Sequence, residues 1–310
     1  MVVICSTISS NFSNMRSPNC SLQSNLCHIE CLDMNVFING STKKLEEPGL
    51  SLTDRSYLFG DGVYEVVHIY NGKMFMYDEH MERLDRSLKA VHYSLDIEQV
   101  KQQVKTFFQQ ERPLEASLYL QVSRHAGVRS HWTKDPMDYN IAMWFKPIDM
   151  EAIRLKQKNG FPVVTDRDVR WKFRFIKSVS LLANCLSLRK ALLQNCNEAI
   201  LIEDTGEVTE GTSSNVFIVK DNQLITTHEG EHILSGITRK HVIDLAKKDG
   251  IEVVERFFSK SELMDADEVF VTNTISEIVP VIKIDDAPIH RGTPGSMTQH
   301  LQQMFKDSIS

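Results

Sequence analysis

The chain holds no stretch of about twenty consecutive apolar residues, so no membrane-spanning helix is expected. It has no run of basic residues either, and a formal net charge of -6 argues against a nucleic-acid platform. Cysteine is scarce in the main body: Cys5, Cys20, Cys27 and Cys31 fall before residue 34, and only Cys185 and Cys196 after it. Two cysteines in so large a body exclude a disulfide framework and point to a reducing, cytoplasmic setting. Cys27 and Cys31 have half the spacing of a metal site, but no second pair follows, so no metal is expected. Internal repeats are absent. What remains is the composition of a globular protein, 42% hydrophobic and 25% charged, long enough for two domains of ordinary size.

Residues 1–33 are rich in Ser and Asn, carry Arg16 as their one strong base, and show no period. They read as a disordered N-terminal extension rather than a secretory signal, with Met34 as the functional start. A small α/β domain is expected over residues 34–150 and a larger one over 151–310, joined by the charged stretch after Pro147. In the first, Asn35–Ile38 is a strand, Gly60-Asp61-Gly62 a permissive turn into another, and Asn71-Gly72 a hairpin signal. Asp78 is expected to cap a helix with the apolar stripe Met81, Leu84, Leu88 and Val91, leaving Arg83 off the stripe. A second helix is expected over roughly residues 97–110, then a strand, a polar loop holding Arg129 and His131, and a strand from Asn140. Beyond Phe161, strands and helices mix. One helix begins near Gly236-Ile237-Thr238 and stops at Asp249-Gly250, and Ser261 is expected to cap a short one. Without strict β-α alternation, the fold class is α+β.

One lysine stands out. Phe173-Arg174-Phe175-Ile176 is an aromatic, β-favouring run that ends at Lys177, just before leucines at mostly helical spacing (Leu181, Leu182, Leu186, Leu188, Leu192). A lysine held where water is scarce has its ammonium form disfavoured and becomes an amine nucleophile or proton carrier. That is the chemistry of a Schiff-base lysine. On its own the pattern is also that of an ordinary surface lysine; its company decides.

That company is the Gly60–Glu65 turn, Ile176-Lys177, Thr209-Glu210-Gly211-Thr212-Ser213-Ser214-Asn215-Val216, Leu234-Ser235-Gly236-Ile237-Thr238-Arg239, and Val271-Thr272-Asn273-Thr274. Together, in this order and spacing from Met34 onward, they resemble the fold-type IV pyridoxal-phosphate enzymes. That family includes D-amino-acid transaminase, branched-chain transaminase and aminodeoxychorismate lyase. The resemblance implies a two-domain α+β fold, a small N-terminal domain and a larger C-terminal one, with pyridoxal 5'-phosphate in the cleft between them. Lys177 would bond the cofactor aldehyde and then ferry a proton. Glu210 would sit against the ring nitrogen, favouring its protonated form. The N–H groups of Ile237 and Thr238, with the Thr238 hydroxyl, Arg83 and Thr274, would bind the phosphate. Leu234 would pack on one face of the ring.

The substrate's carboxylate separates the family members. Arg129-Ser130-His131 matches the Arg-x-His pair that, with Tyr64, traps the α-carboxylate in D-amino-acid transaminases. The resemblance implies that Arg129 and His131 come from a partner subunit, hence a homodimer. Branched-chain enzymes carry a tyrosine five residues after the lysine, where this chain has Leu182. Small polar exchanges at Ser180, Asn273 and Thr212 depart from the D-transaminase pattern. The reading is transamination between D-alanine and 2-oxoglutarate, giving pyruvate and D-glutamate. Aminodeoxychorismate lyase and branched-chain L-amino-acid transaminase are the alternatives.

Overall fold

A computed structural model describes residues 34–47, 49–132 and 138–309. The extension over residues 1–33 and its four cysteines lie outside the described residues. The chain forms two sheets, one after the other. The first is antiparallel, with strands β1 (Asn35–Ile38), β2 (Ser41–Lys44), β3 (Gly62–Tyr70), β4 (Lys73–Met74), β5 (Ala116–Arg124) and β6 (Tyr139–Pro147). Their order is β2-β1-β6-β5-β3-β4, and Tyr64 of β3 sits opposite Gln121 of β5.

Strand alternation assigns the two faces of β3 different tasks. Val63, Val67 and Ile69 pack with Met81, Leu84 and Leu88 of α2 (Tyr77–Ala90) and with Val100, Val104 and Phe107 of α3 (Ile97–Glu111). Each such fully buried side chain contributes about 1.5–3 kcal/mol. Tyr64, His68 and Tyr70 point the other way, toward the second half of the chain. The short helix α1 (Arg55–Phe59) precedes β3 and ends at Gly60, whose φ of 68° is left-handed. A Cβ at Gly60 would lie 2.3 Å from the Ser180 hydroxyl oxygen, so glycine is required there twice over.

The second sheet has the order β12-β11-β10-β13-β14-β7-β8-β9, with β15 on β14. The strands are β7 (Phe161–Arg167), β8 (Glu198–Ile202), β9 (Val208–Gly211), β10 (Asn215–Lys220), β11 (Gln223–Thr226), β12 (Val253–Glu255), β13 (Glu268–Asn273), β14 (Glu277–Ile284) and β15 (Ala287–Pro288). Strands β10 and β13 are buried on both faces, which is why they read as near-continuous apolar runs. One face packs Val216, Ile218, Val269 and Val271 against Phe258 and Leu263. The other packs Phe217 and Phe270 against α6 (Ile237–Lys248) and α8 (Ser296–Ser308).

Several local expectations are corrected. The charged stretch after Pro147 is a helix, α4 (Met150–Asn159), whose Asp149 accepts the cap hydrogen bond from the Ala152 amide at 2.9 Å. Only Ile153 and Gln157 on it are buried, so its apolar stripe is too thin to read as a helix in the sequence. Helix α2 begins at Tyr77 behind Met76, which is left-handed and makes no side-chain cap. Asp78 lies inside the first turn and acts only through the helix dipole. Helix α7 (Lys260–Met264) is capped by Ser259 in a capping box with Glu262, not by Ser261. The aromatic run before Lys177 is not a strand: Arg170–Val179 is irregular apart from one bridge. The leucines beyond it do form a helix, α5 (Leu182–Leu193), but Leu182 is 74% and Leu193 76% exposed, and its buried residues are Ser187 and Ala191.

Candidate active site

The free edge of β3 holds the segment around Lys177. Strand β4 pairs only with Ile69 and Tyr70, so the start of β3 has open backbone groups on that side. The segment around Lys177 fills it: the Tyr64 amide donates to the Lys177 carbonyl at 2.9 Å, and the Val179 amide to the Gly62 carbonyl at 3.0 Å. Residues from the second half of the chain are thereby tied to the first sheet beside a cleft that Tyr64 and Lys177 both line. Lys177 is half-buried in it, with its Nζ 4.2 Å from the centroid of the Tyr64 ring. That distance suits an ammonium or amine over an aromatic face.

Across the cleft stands Glu210, at the end of β9 and buried. The Leu234 amide donates to its Oε2 at 3.0 Å and the Asn215 side-chain amide at 3.2 Å. Its Oε1 accepts from Arg170. Arg170 in turn donates to Asp168 at 2.7 Å, and Thr209 donates its hydroxyl to the same carboxylate at 2.7 Å. Burial pushes the Glu210 carboxyl up, and Arg170 pulls it back. Burial also opposes the charge on Arg170, but Glu210 and Asp168 outweigh it and hold the guanidinium ionised. The two side chains form a buried, hydrogen-bonded ion pair at the cleft wall.

The other end of the cleft is built for an anion. Helix α6 starts at Ile237 behind Gly236, and no side chain caps it. Its first N–H groups are left open beside the cleft, with a positive dipole end. A Cβ at Gly236 would lie 1.9 Å from the Asn215 side-chain oxygen, so only glycine lets the helix start this close to Glu210's partner. Arg83 donates from Nε and Nη2 to Glu65 at 2.7 and 2.9 Å and from Nη1 to the Ser235 carbonyl at 2.9 Å. Burial disfavours the Glu65 charge, but Arg83 and His80 overcome it and hold the carboxyl well below the usual range. Thr238, Thr272 and Thr274 also line the cleft, and the buried Thr272 hydroxyl has no hydrogen-bond partner among the described residues.

Tyr64, Arg83, Lys177, Glu210, Leu234, Ile237, Thr238 and Thr274 line one cleft. Arg129 and His131 do not. Their loop lies against α1: Arg55 donates to the Ser130 carbonyl at 2.5 Å, and the Arg129 guanidinium is 5.3 Å from the Phe59 ring centroid. The His131 ring meets Phe59 edge-on at 5.5 Å.

The sequence profile described as amino-transferase class IV matches residues 62–284. The chain is a class IV aminotransferase. D-Alanine aminotransferase of Bacillus licheniformis is 39% identical to it over 89% of this chain and 97% of that one. Among solved structures, a branched-chain aminotransferase from Thermoproteus uzoniensis aligns with a TM-score of 0.77 at 26% identity, covering 89% of this chain and 94% of that one. A 4-amino-4-deoxychorismate lyase from Pseudomonas aeruginosa aligns with a TM-score of 0.76 at 21% identity, covering 88% and 98%; it speaks for the fold alone. The aminotransferase is of fold type IV and uses pyridoxal 5'-phosphate.

The cleft of this aminotransferase fits that cofactor. An amine stands at one point, a carboxylate suited to a ring nitrogen at another, and an uncapped helix start with an orphaned threonine hydroxyl at a third. Several of its supporting residues escaped the sequence reading. Arg170 and Asp168 hold Glu210, and Glu65 holds Arg83. Glu198 accepts hydrogen bonds from the Thr212, Ser213 and Ser214 hydroxyls, which fixes the turn after Glu210. No sequence spacing signals these pairs, because sheet topology brings the partners together. The one available hint was a carboxylate within an otherwise apolar strand, as at Glu65 in β3.

Proposed function

We propose that this aminotransferase moves an amino group from D-alanine to 2-oxoglutarate, giving pyruvate and D-glutamate, as a cytoplasmic homodimer. The observation that carries the reading is Tyr64 packed on Lys177 at the mouth of the cleft. It leaves a phenol beside the amine where a substrate carboxylate would lie. The similarity to D-alanine aminotransferases supports the same donor. Leu182, where branched-chain enzymes would carry an aromatic wall, does not line the cleft.

When bound, pyridoxal 5'-phosphate supplies an aldehyde carbon that accepts the amino group and a ring that draws electrons from it. Lys177 would hold that carbon and then use Nζ to take the proton from the amino acid's Cα. Glu210 would hold a proton at the ring nitrogen, with burial raising its carboxyl and Arg170 drawing it back toward the ionised form. Arg83, Thr274, Thr238 and the Ile237 and Thr238 amides would bind the phosphate, and Leu234 would close one ring face. Arg129 and His131 of one subunit would, with Tyr64, grip the α-carboxylate in the cleft of the other. Their placement outside the cleft of their own chain supports this, as does the exposed leucine face of α5 beside it.

A donor panel tests the reading. D-Alanine with 2-oxoglutarate should yield pyruvate, and L-alanine should not. Turnover confined to L-leucine or L-valine would overturn the substrate assignment, as would release of pyruvate from aminodeoxychorismate. Arg129→Ala should raise KM for D-alanine by about 10- to 100-fold, the loss expected for a charge-assisted hydrogen bond, with cofactor still bound. Loss of the cofactor as well would mean that the loop only supports the fold.

A further inference from the structure

His68 lies on β3, four residues beyond Tyr64 and fully buried, where the first sheet meets the turn between β13 and β14. Its Nδ1 is 3.1 Å from the carbonyl oxygen of Thr274. A carbonyl only accepts, so Nδ1 carries the hydrogen. Burial holds the imidazole pKa down to about 4, so the ring is neutral near pH 7 and Nε2 is a bare acceptor. That nitrogen is buried without a hydrogen-bond partner among the described residues, and so is Oε1 of Glu115, 3.5 Å away. Two buried acceptors face each other with no hydrogen shown between them.

No side chain among the described residues hydrogen-bonds to either of these two atoms. Tyr70 stacks on His68 at 3.8 Å but gives its hydroxyl to Glu277 at 3.0 Å. Gln157 also donates to Glu277, and Arg154 lies 3.5 Å from it on the α4 side. The positive charge of Arg154 further disfavours a charged His68. Burial pushes the Glu115 carboxyl up and Glu277 adds to this, against the pull of Arg154; the net direction is toward the form that carries a hydrogen.

We propose that Glu115 and His68 share one proton, Oε1–H to Nε2, and that the two are positioning residues which lock the Thr274 peptide against the cleft. The role rests on the reading of Thr274 as a phosphate ligand given above. From within, the Asn273 side chain accepts from the Ile275 and Ser276 amides at 3.0 and 2.7 Å and shapes the same turn. From outside, His68 fixes the carbonyl that Asn273 does not reach. One strand then serves both ends of the site, with Tyr64 at the amine and His68 at the anion.

Two measurements test it. In the apoprotein labelled with ¹⁵N-histidine, NMR should find His68 protonated on Nδ1 alone from roughly pH 5 to 8. A ring protonated on Nε2, or on both nitrogens, overturns the shared proton. His68→Phe keeps the stack on Tyr70 and loses both nitrogens. It should weaken binding of pyridoxal 5'-phosphate by about 5- to 10-fold with kcat at saturating cofactor little changed. Glu115→Leu should do the same, and Glu115→Gln, whose amide donates to Nε2, should restore the parent affinity. Parent affinity in His68→Phe overturns the positioning role. If the parent protein binds no cofactor at all, the phosphate reading of the cleft falls, and NMR still reads the Nδ1–H tautomer that the shared proton requires.

Discussion

Lys177→Ala should lower the transamination rate by about 10⁴-fold or more, the upper range for a lost proton-transfer group. The visible absorbance of the bound cofactor should shift, and borohydride should no longer fix the cofactor to the chain. The argument is positional. The Lys177 carbonyl accepts from the Tyr64 amide and the Val179 amide donates to Gly62 at the start of β3, so the side chain alone is removed and the segment keeps its place. Pyridoxal 5'-phosphate should still bind, because the uncapped helix start at Gly236–Thr238, proposed to hold its phosphate, lies on other elements. Retained affinity with lost turnover separates a reacting lysine from one that merely supports the cleft. Added small amines that restore part of the rate would reinforce the assignment, since they replace the missing base.

Glu210→Gln should lower kcat by about 10²- to 10³-fold, the usual loss when a preorganised charge is removed from a dry site. The carboxamide keeps the volume, and its oxygen accepts from Arg170, Asn215 or Leu234, but it cannot hold a proton at a ring nitrogen. Stability should fall less than for a fully orphaned buried charge, which costs about 3–5 kcal/mol. Arg170 retains Asp168, at 2.7 Å, as an ionised partner. A thermal melt therefore distinguishes the two roles: a small loss of stability with a large loss of rate marks Glu210 as part of the reaction. A large loss of stability with an unchanged rate would assign it to the fold.

The residues that were legible in the sequence are those whose chemistry is written in contiguous motifs. Lys177, Glu210 and the Gly236-Ile237-Thr238 helix start carry their neighbours with them, and the fold brings all three to one cleft. Alternation in β3 and the apolar stripe of α2 were equally readable, because burial on one face leaves a period. The supporting pairs were not. Arg170 meets Glu210 across forty positions, Gln157 meets Glu277 across 120, and His68 meets Thr274 across 206. Such pairs follow from sheet order, which places β3 beside Lys177 and β14 beside β7. The leucines of α5 misled in the other direction: helical spacing is real, yet much of that face looks outward. Periodicity reports that a face is apolar, not what covers it.

Borohydride reduction of the cofactor-loaded protein, followed by proteolysis and mass mapping, tests the central claim most directly. The cofactor should be found on the peptide that contains Lys177, attached through its Nζ and on no other lysine. Cofactor fixed to a different lysine, or to none although the cleft is loaded, would contradict the account.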